Sequence, residues 1–224
     1  MEFTLLWAAL TAVTATWAGL RIWDDRLPAR ADDHLLAATL WGLVVGRLTA
    51  MIAQGVNPLT NPAEIIIVRG GVATPAAAAT FVAVLVWSTR TLPGAVDAIA
   101  PAVLFGLAGW HAGCLWRGAC LGTPSDLPWA WALPGSAVTR HPVELFAALG
   151  LALAAWLVAS LPWRPWLRSG VALVMASGLR LVTDLVRPSL GDAVEWWYFV
   201  GVFVGLGAIA IGPLLPPPRQ GEPT

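Results

Sequence analysis

The residues with the types and spacing for chemistry in this sequence are arginines set beside glycines, carboxylates and imidazoles. The stretch SGLRLVTDLVRP places Arg180, Asp184 and Arg187 at i, i+4 and i+7, so all three fall on one helix face. Asp184 can orient one guanidinium by a bidentate pair while the other offers its planar fork to a phosphate. The same spacing also makes a helix-stabilising ion triplet. GWHAGCLWRGACLGTPSDLPW carries His111 together with Gly109, Gly113, Gly118 and Gly122, which permit close backbone approach and a turn. In TRHPVELFAAL, Arg140 and His141 stand just before Pro142, a residue suited to the first turn of a helix. Glu144 follows in that turn, where a carboxylate matches the positive helix end; a plain interfacial cap is the alternative reading. VRGGVATP sets Arg69 beside Gly70 and Gly71. The chemistry offered is the binding of an anion.

His111, Cys114 and Cys120 invite a metal reading, but no CxxC or HxxxH spacing is present, so neither a metal nor another cofactor is expected. Six residues along a continuous helix turn the two cysteines apart, which favours two buried free thiols over a disulfide. The chain has no lysine at all, which excludes a retinal-type or pyridoxal-phosphate Schiff base and a Walker A loop.

Positioning these residues falls to elements of an unusual composition. Of 224 residues 58% are hydrophobic and only 12% charged, against about 25% charged in a soluble domain. Too little polar surface exists to cover a water-soluble globule. Thirteen cations balance thirteen anions, which gives no electrostatic footprint for nucleic acid, and none is expected as a partner.

Seven stretches have the length and apolarity of a spanning helix, near residues 3–22, 34–54, 70–89, 95–116, 141–162, 168–187 and 195–214. They lack period-2 alternation, so the expected fold is an all-α, polytopic membrane bundle of about seven transmembrane helices. It would form a single domain over 1–214, followed by a disordered tail over 215–224. The first stretch begins MEF, without a cationic n-region, and reads as a retained span rather than a cleaved signal. Arg21, Arg26, Arg30, Arg90, Arg164, Arg168 and Arg219 lie in the odd-numbered loops and the tail, against Arg69, Arg117, Arg140 and Arg187 in the even ones. The N-terminus is therefore expected outside and the C-terminus inside. Tryptophans such as Trp129, Trp131, Trp163, Trp166, Trp196 and Trp197 sit at span ends as interfacial anchors. Arg47 and Arg180 lie within predicted spans, where a lone arginine costs at least about 2.5–3.5 kcal/mol and so faces a partner or a wet cavity, or snorkels.

With these pieces in order, the sequence resembles the prolipoprotein diacylglyceryl transferase family, membrane enzymes that first lipidate bacterial lipoproteins. The resemblance runs from about residue 34 to residue 190. It rests on GLVVGRLTAMIAQGVNPLTNPAEIIIVRGG, DAIAPAVLFGLAGWHAGCLWRGACLG, PSDLPWAW, RHPVELF and SGLRLVTDLVRP. It implies a seven-span protein of the bacterial inner membrane that moves diacylglycerol from phosphatidylglycerol onto the lipobox cysteine thiol of a prolipoprotein signal peptide. Arg180, Asp184 and Arg187 match the family's late Arg–Glu–Arg triplet, with Asp in place of Glu. Gly46 and Arg47 match its Gly–Arg pair, Arg140, His141 and Pro142 its Arg-His-Pro turn, and Gly122 the glycine closing its signature. Arg69 stands where the family has a histidine before paired glycines, and His111 where its signature has an arginine. The tyrosine expected early in the first span is absent, and Tyr198 is the only one in the chain.

On this pattern the catalytic residues are His111, Arg180 and Asp184. The lipid phosphate falls to Arg47, Arg69, Gly70, Gly71, Arg140, His141 and Arg187. The exchange at 69 and 111 would keep one fixed cation for phosphate and one imidazole for the thiol proton. The competing expectation is a catalytically silent relative that binds anionic lipid or a signal peptide. A transporter would show internal repeats or interrupted helix pairs, and the sequence has neither.

Overall fold

The computed structural model describes residues 4–66, 71–114, 121–132, 135–187 and 196–214. Each of the seven apolar stretches overlaps one helix of 15 to 23 residues. These are α1 (Thr4–Ile22), α2 (Ala31–Ala53), α4 (Thr74–Ser88), α5 (Ala95–Cys114), α6 (Val143–Ser160), α7 (Leu167–Asp184) and α8 (Trp197–Ile211). A single turn, α3 (Ala63–Ile66), precedes α4. Two-residue strands β1 (Trp131–Ala132) and β2 (Thr139–Arg140) pair antiparallel between α5 and α6. The chain divides into two compact units, residues 28–96 and residues 1–27 with 97–224.

The smaller unit is α2 laid along α4. α2 starts at Ala31, earlier than the apolar run suggests, because Asp32 and Asp33 occupy its first turn, where carboxylates favour the positive end. α4 starts at Thr74, later than expected, with a proline in its first positions. Just before it, Ala73 N–H donates to the Gly46 carbonyl at 3.0 Å.

In the larger unit α6 packs on α7 and α7 on α8. Its core is built of small side chains, with Ala102 and Leu104 of α5 clustering with Ala154, Ala155 and Val158 of α6. The glycines of α5 face α1, where a Cβ on Gly109 would sit 2.6 Å from Ala15 Cβ. Small residues let helix backbones meet closely where apolar surroundings supply no other driving force. Large side chains point outward instead: Leu149 and Trp156 of α6 and Phe203 of α8 are more than half exposed. That inversion fits a solvent of lipid tails.

α2, α5, α6 and residues 197–214 are long and apolar enough to cross a membrane, and α4 is a shorter apolar helix. The protein is a helical membrane protein. α7 is less apolar because Arg168, Arg180 and Asp184 lie within its 18 residues. Its N-terminus is held by Asp97 of α5, which accepts from Trp166 N at 2.7 Å and from Ser169 N and Oγ at 2.8 Å each. A buried carboxylate there satisfies helix-end N–H groups that would otherwise be unpaired. Arg168 donates to the Leu161 carbonyl from Nε at 3.1 Å and Nη2 at 2.6 Å. One end of α7 is thus fixed in rotation, which sets the direction of the charged face at the other.

The structure corrects one sequence expectation here. Cys114, the last described residue of α5, is disulfide-bonded, contrary to the expectation of two free thiols. The only other cysteine, Cys120, lies outside the described residues, as do Gly118 and the tail at 215–224.

Candidate functional site

The site is assembled where the C-terminal ends of α5 and α7 meet the N-terminal ends of α6 and α8. The segment between α5 and α6 is stitched down at this point. Gly122 N–H donates to His141 O at 2.8 Å, His141 N–H to Thr123 O at 3.1 Å, and Thr123 N–H to Val186 O at 2.9 Å. Gly122 is what lets three segments converge. A Cβ there would collide with Val143 Cγ2 and the Val186 carbonyl, and would come within 3.1 Å of His141 Cβ.

Glu144 lies at the centre. It is buried in the first turn of α6, and its two oxygens serve different partners. Oε2 is bonded to His111 Nδ1, and Oε1 accepts from Arg187 Nη2. Arg187 Nε lies 3.5 Å from Asp184 Oδ1 and, among the described residues, is a buried donor without a hydrogen-bond acceptor. Arg180 donates from Nε to Tyr198 Oη at 2.9 Å, and its Nη2 lies 3.9 Å from Asp184 Oδ1. Its guanidinium carbon stands 5.5 Å from the Tyr198 ring centroid, within cation–π range. Two guanidiniums and an imidazole are therefore interleaved with two carboxylates. Buried charges persist in apolar surroundings only when paired in this way.

His111, Arg180, Asp184 and Arg187 are thus brought together with Glu144. Arg140 and His141 are held nearby in the backbone. Arg140 donates from Nη1 to Gly122 O at 3.2 Å, and the His141 ring sits edge-on to Phe146, with centroids 6.5 Å apart. Arg47 belongs to the other unit. It is buried and ties that unit's chain together, donating from Nε to Glu64 O and from Nη1 to Gly71 O at 2.9 Å each. Gly71 has φ +77°, a left-handed conformation suited to glycine. Arg69 and Gly70 lie outside the described residues.

Sequence reasoning missed two members. Glu144 carried a usable signal, since an acidic residue beside a long apolar run is costly without a cation, yet its place in a first turn let the helix end account for it. Tyr198 follows Trp196 and Trp197, and that aromatic run reads as a membrane-interface belt.

Fold and site together define a helical membrane protein with an arginine–carboxylate–imidazole cluster at one end of a helix group. Its sequence matches the prolipoprotein diacylglyceryl transferase family model over residues 2–215, beyond both ends of the motifs quoted above. It is 34% identical over 220 residues to the phosphatidylglycerol–prolipoprotein diacylglyceryl transferase of Cupriavidus pinatubonensis, which covers 88% of this chain and 79% of the relative. The proteins of the same name from an Azoarcus species and Methylobacillus flagellatus are 33% and 31% identical. Those matches cover 80% and 81% of this chain and 76% of each relative. The chain belongs to the prolipoprotein diacylglyceryl transferase family.

Proposed function

We infer that this protein transfers diacylglycerol from phosphatidylglycerol to the lipobox cysteine thiol in a prolipoprotein signal peptide, releasing glycerol phosphate. The observation that carries this is family membership over nearly the whole chain, joined to a part-buried cluster in which carboxylates link two guanidiniums and an imidazole. The thiol gives its proton to His111 through Nε2, the ring nitrogen not facing Glu144. The sulfur then forms a bond to the glycerol carbon that carries the phosphodiester. The carbon–oxygen bond breaks, and its electron pair leaves on the phosphate oxygen. Arg180 and Arg187 stabilise the charge that develops there, with Asp184 orienting both. Arg140 and His141 border this phosphate site from the adjoining hairpin.

Purified protein given phosphatidylglycerol vesicles and a lipobox peptide is expected to yield diacylglyceryl peptide and glycerol phosphate in equal amounts. Lipid binding with neither product would mark a silent relative instead.

The setting we propose is the bacterial inner membrane, crossed seven times with the N-terminus outside. The arginine bias supports it, and so does the alternation of α5 to α8, which gathers the site at one end of the helices. A reporter active only outside the membrane is expected to report at residue 130 and to stay silent at the C-terminus. The reverse pattern would overturn both the orientation and the outward-facing site.

A further inference from the structure

Glu144 has no assigned part in the transfer reaction, yet among the described residues it alone touches both the imidazole and a phosphate-clamp arginine. A guanidinium can only donate hydrogen bonds, so the oxygen facing Arg187 must accept. The permanent positive charge of that guanidinium also favours the ionised form of Glu144, and a carboxylate has no proton to offer its second partner. His111 Nδ1 must then be the donor, and the lone pair of the neutral ring is confined to Nε2. We propose that Glu144 is a positioning residue for the transfer, holding His111 in the Nδ1–H tautomer so that Nε2 takes the thiol proton, while its other oxygen holds Arg187. This rests on the reading of His111 as the base.

The same donor argument gives an unusual consequence for Glu144→Gln. Arg187 still requires an oxygen, so the amide oxygen turns to Arg187 and the NH2 group turns to His111. An NH2 donor demands a lone pair on Nδ1, which moves the proton to Nε2. The substitution keeps shape and the Arg187 contact, yet it inverts the tautomer and blocks the base. A positioned base typically contributes about 10²–10⁴-fold, and a wrong-tautomer histidine forfeits a factor of that order.

The test begins with the native protein, labelled with 15N-histidine in lipid nanodiscs. The chain has three histidines, His34, His111 and His141, and His111→Asn identifies the His111 signals by their loss. The neutral His111 ring is expected to be Nδ1–H, and Glu144→Gln is expected to shift it to Nε2–H. In the transfer assay Glu144→Gln should lower kcat as far as His111→Ala does, with phosphatidylglycerol binding within about twofold of native. Added to His111→Ala, it should lower kcat no further, because both changes remove one function. A native Nε2–H tautomer overturns this inference alone and needs no variant to fold. Additive losses in the double variant also overturn it, by showing that Glu144 acts apart from His111. Native turnover in His111→Ala overturns the base reading, and this inference with it.

Discussion

Alanine at His111 is expected to abolish diacylglyceryl transfer while leaving phosphatidylglycerol binding intact. The imidazole is the proton acceptor in the proposed reaction, and a free thiol, with pKa near 8.5, needs such an acceptor to become a good nucleophile. Its loss should cost roughly 10²–10⁴-fold in kcat. Binding should survive because the clamp does not depend on His111. Arg187 keeps its contact with Glu144 Oε1, and Arg180 keeps its contact with Tyr198. Glu144 is left with one cation rather than none, so the fold is expected to hold. Glycerol phosphate release and lipid binding, measured on the same preparation, separate the two effects. Native turnover across about pH 6–8 would remove the imidazole from the mechanism.

The helices were legible in the sequence because lipid imposes one requirement, a long apolar run with internally satisfied backbone, and each run here overlaps one helix. Their ends were less legible, being decided by single residues such as Asp32 and Asp33 at the start of α2. The division into two compact units left no trace in composition. One boundary falls in the loop before Pro28 and the other between Val96 and Asp97, inside α5.

Within the site, legibility followed sequence distance. Arg180, Asp184 and Arg187 are spaced for one helix face, and the structure places both arginines near Asp184. Glu144 stands 33 residues from His111 and 43 from Arg187, and no local periodicity joins a residue of α5, a residue of α6 and Arg187, which follows the end of α7 at Asp184 rather than continuing its helix face. The partners of Arg47 show the same limit. An arginine within an apolar run announces that it has partners, but not that backbone carbonyls of Glu64 and Gly71 are among them.

Those long-range contacts make Arg180→Lys the more searching charge-conserving change. Arg180 divides its guanidinium, with Nε donating to Tyr198 Oη and Nη2 lying on the Asp184 side. This leaves a planar edge with its direction fixed at two points. Lysine has a single nitrogen on a flexible stem, more strongly hydrated and without a fork. It cannot hold the Tyr198 contact and present a second, directed donor to a phosphate oxygen. Charge is conserved while geometry is lost. One charge-assisted hydrogen bond is worth about 1.5–3 kcal/mol, so kcat/KM is expected to fall roughly 10- to 150-fold. Thermal unfolding followed by the 14 tryptophans checks that the variant is folded. If a folded Arg180→Lys protein kept native kcat/KM, charge alone would suffice at this position. Arg180 would then be a structural partner of Tyr198 and Asp184, and the phosphate would fall to Arg187, whose buried Nε has no acceptor among the described residues.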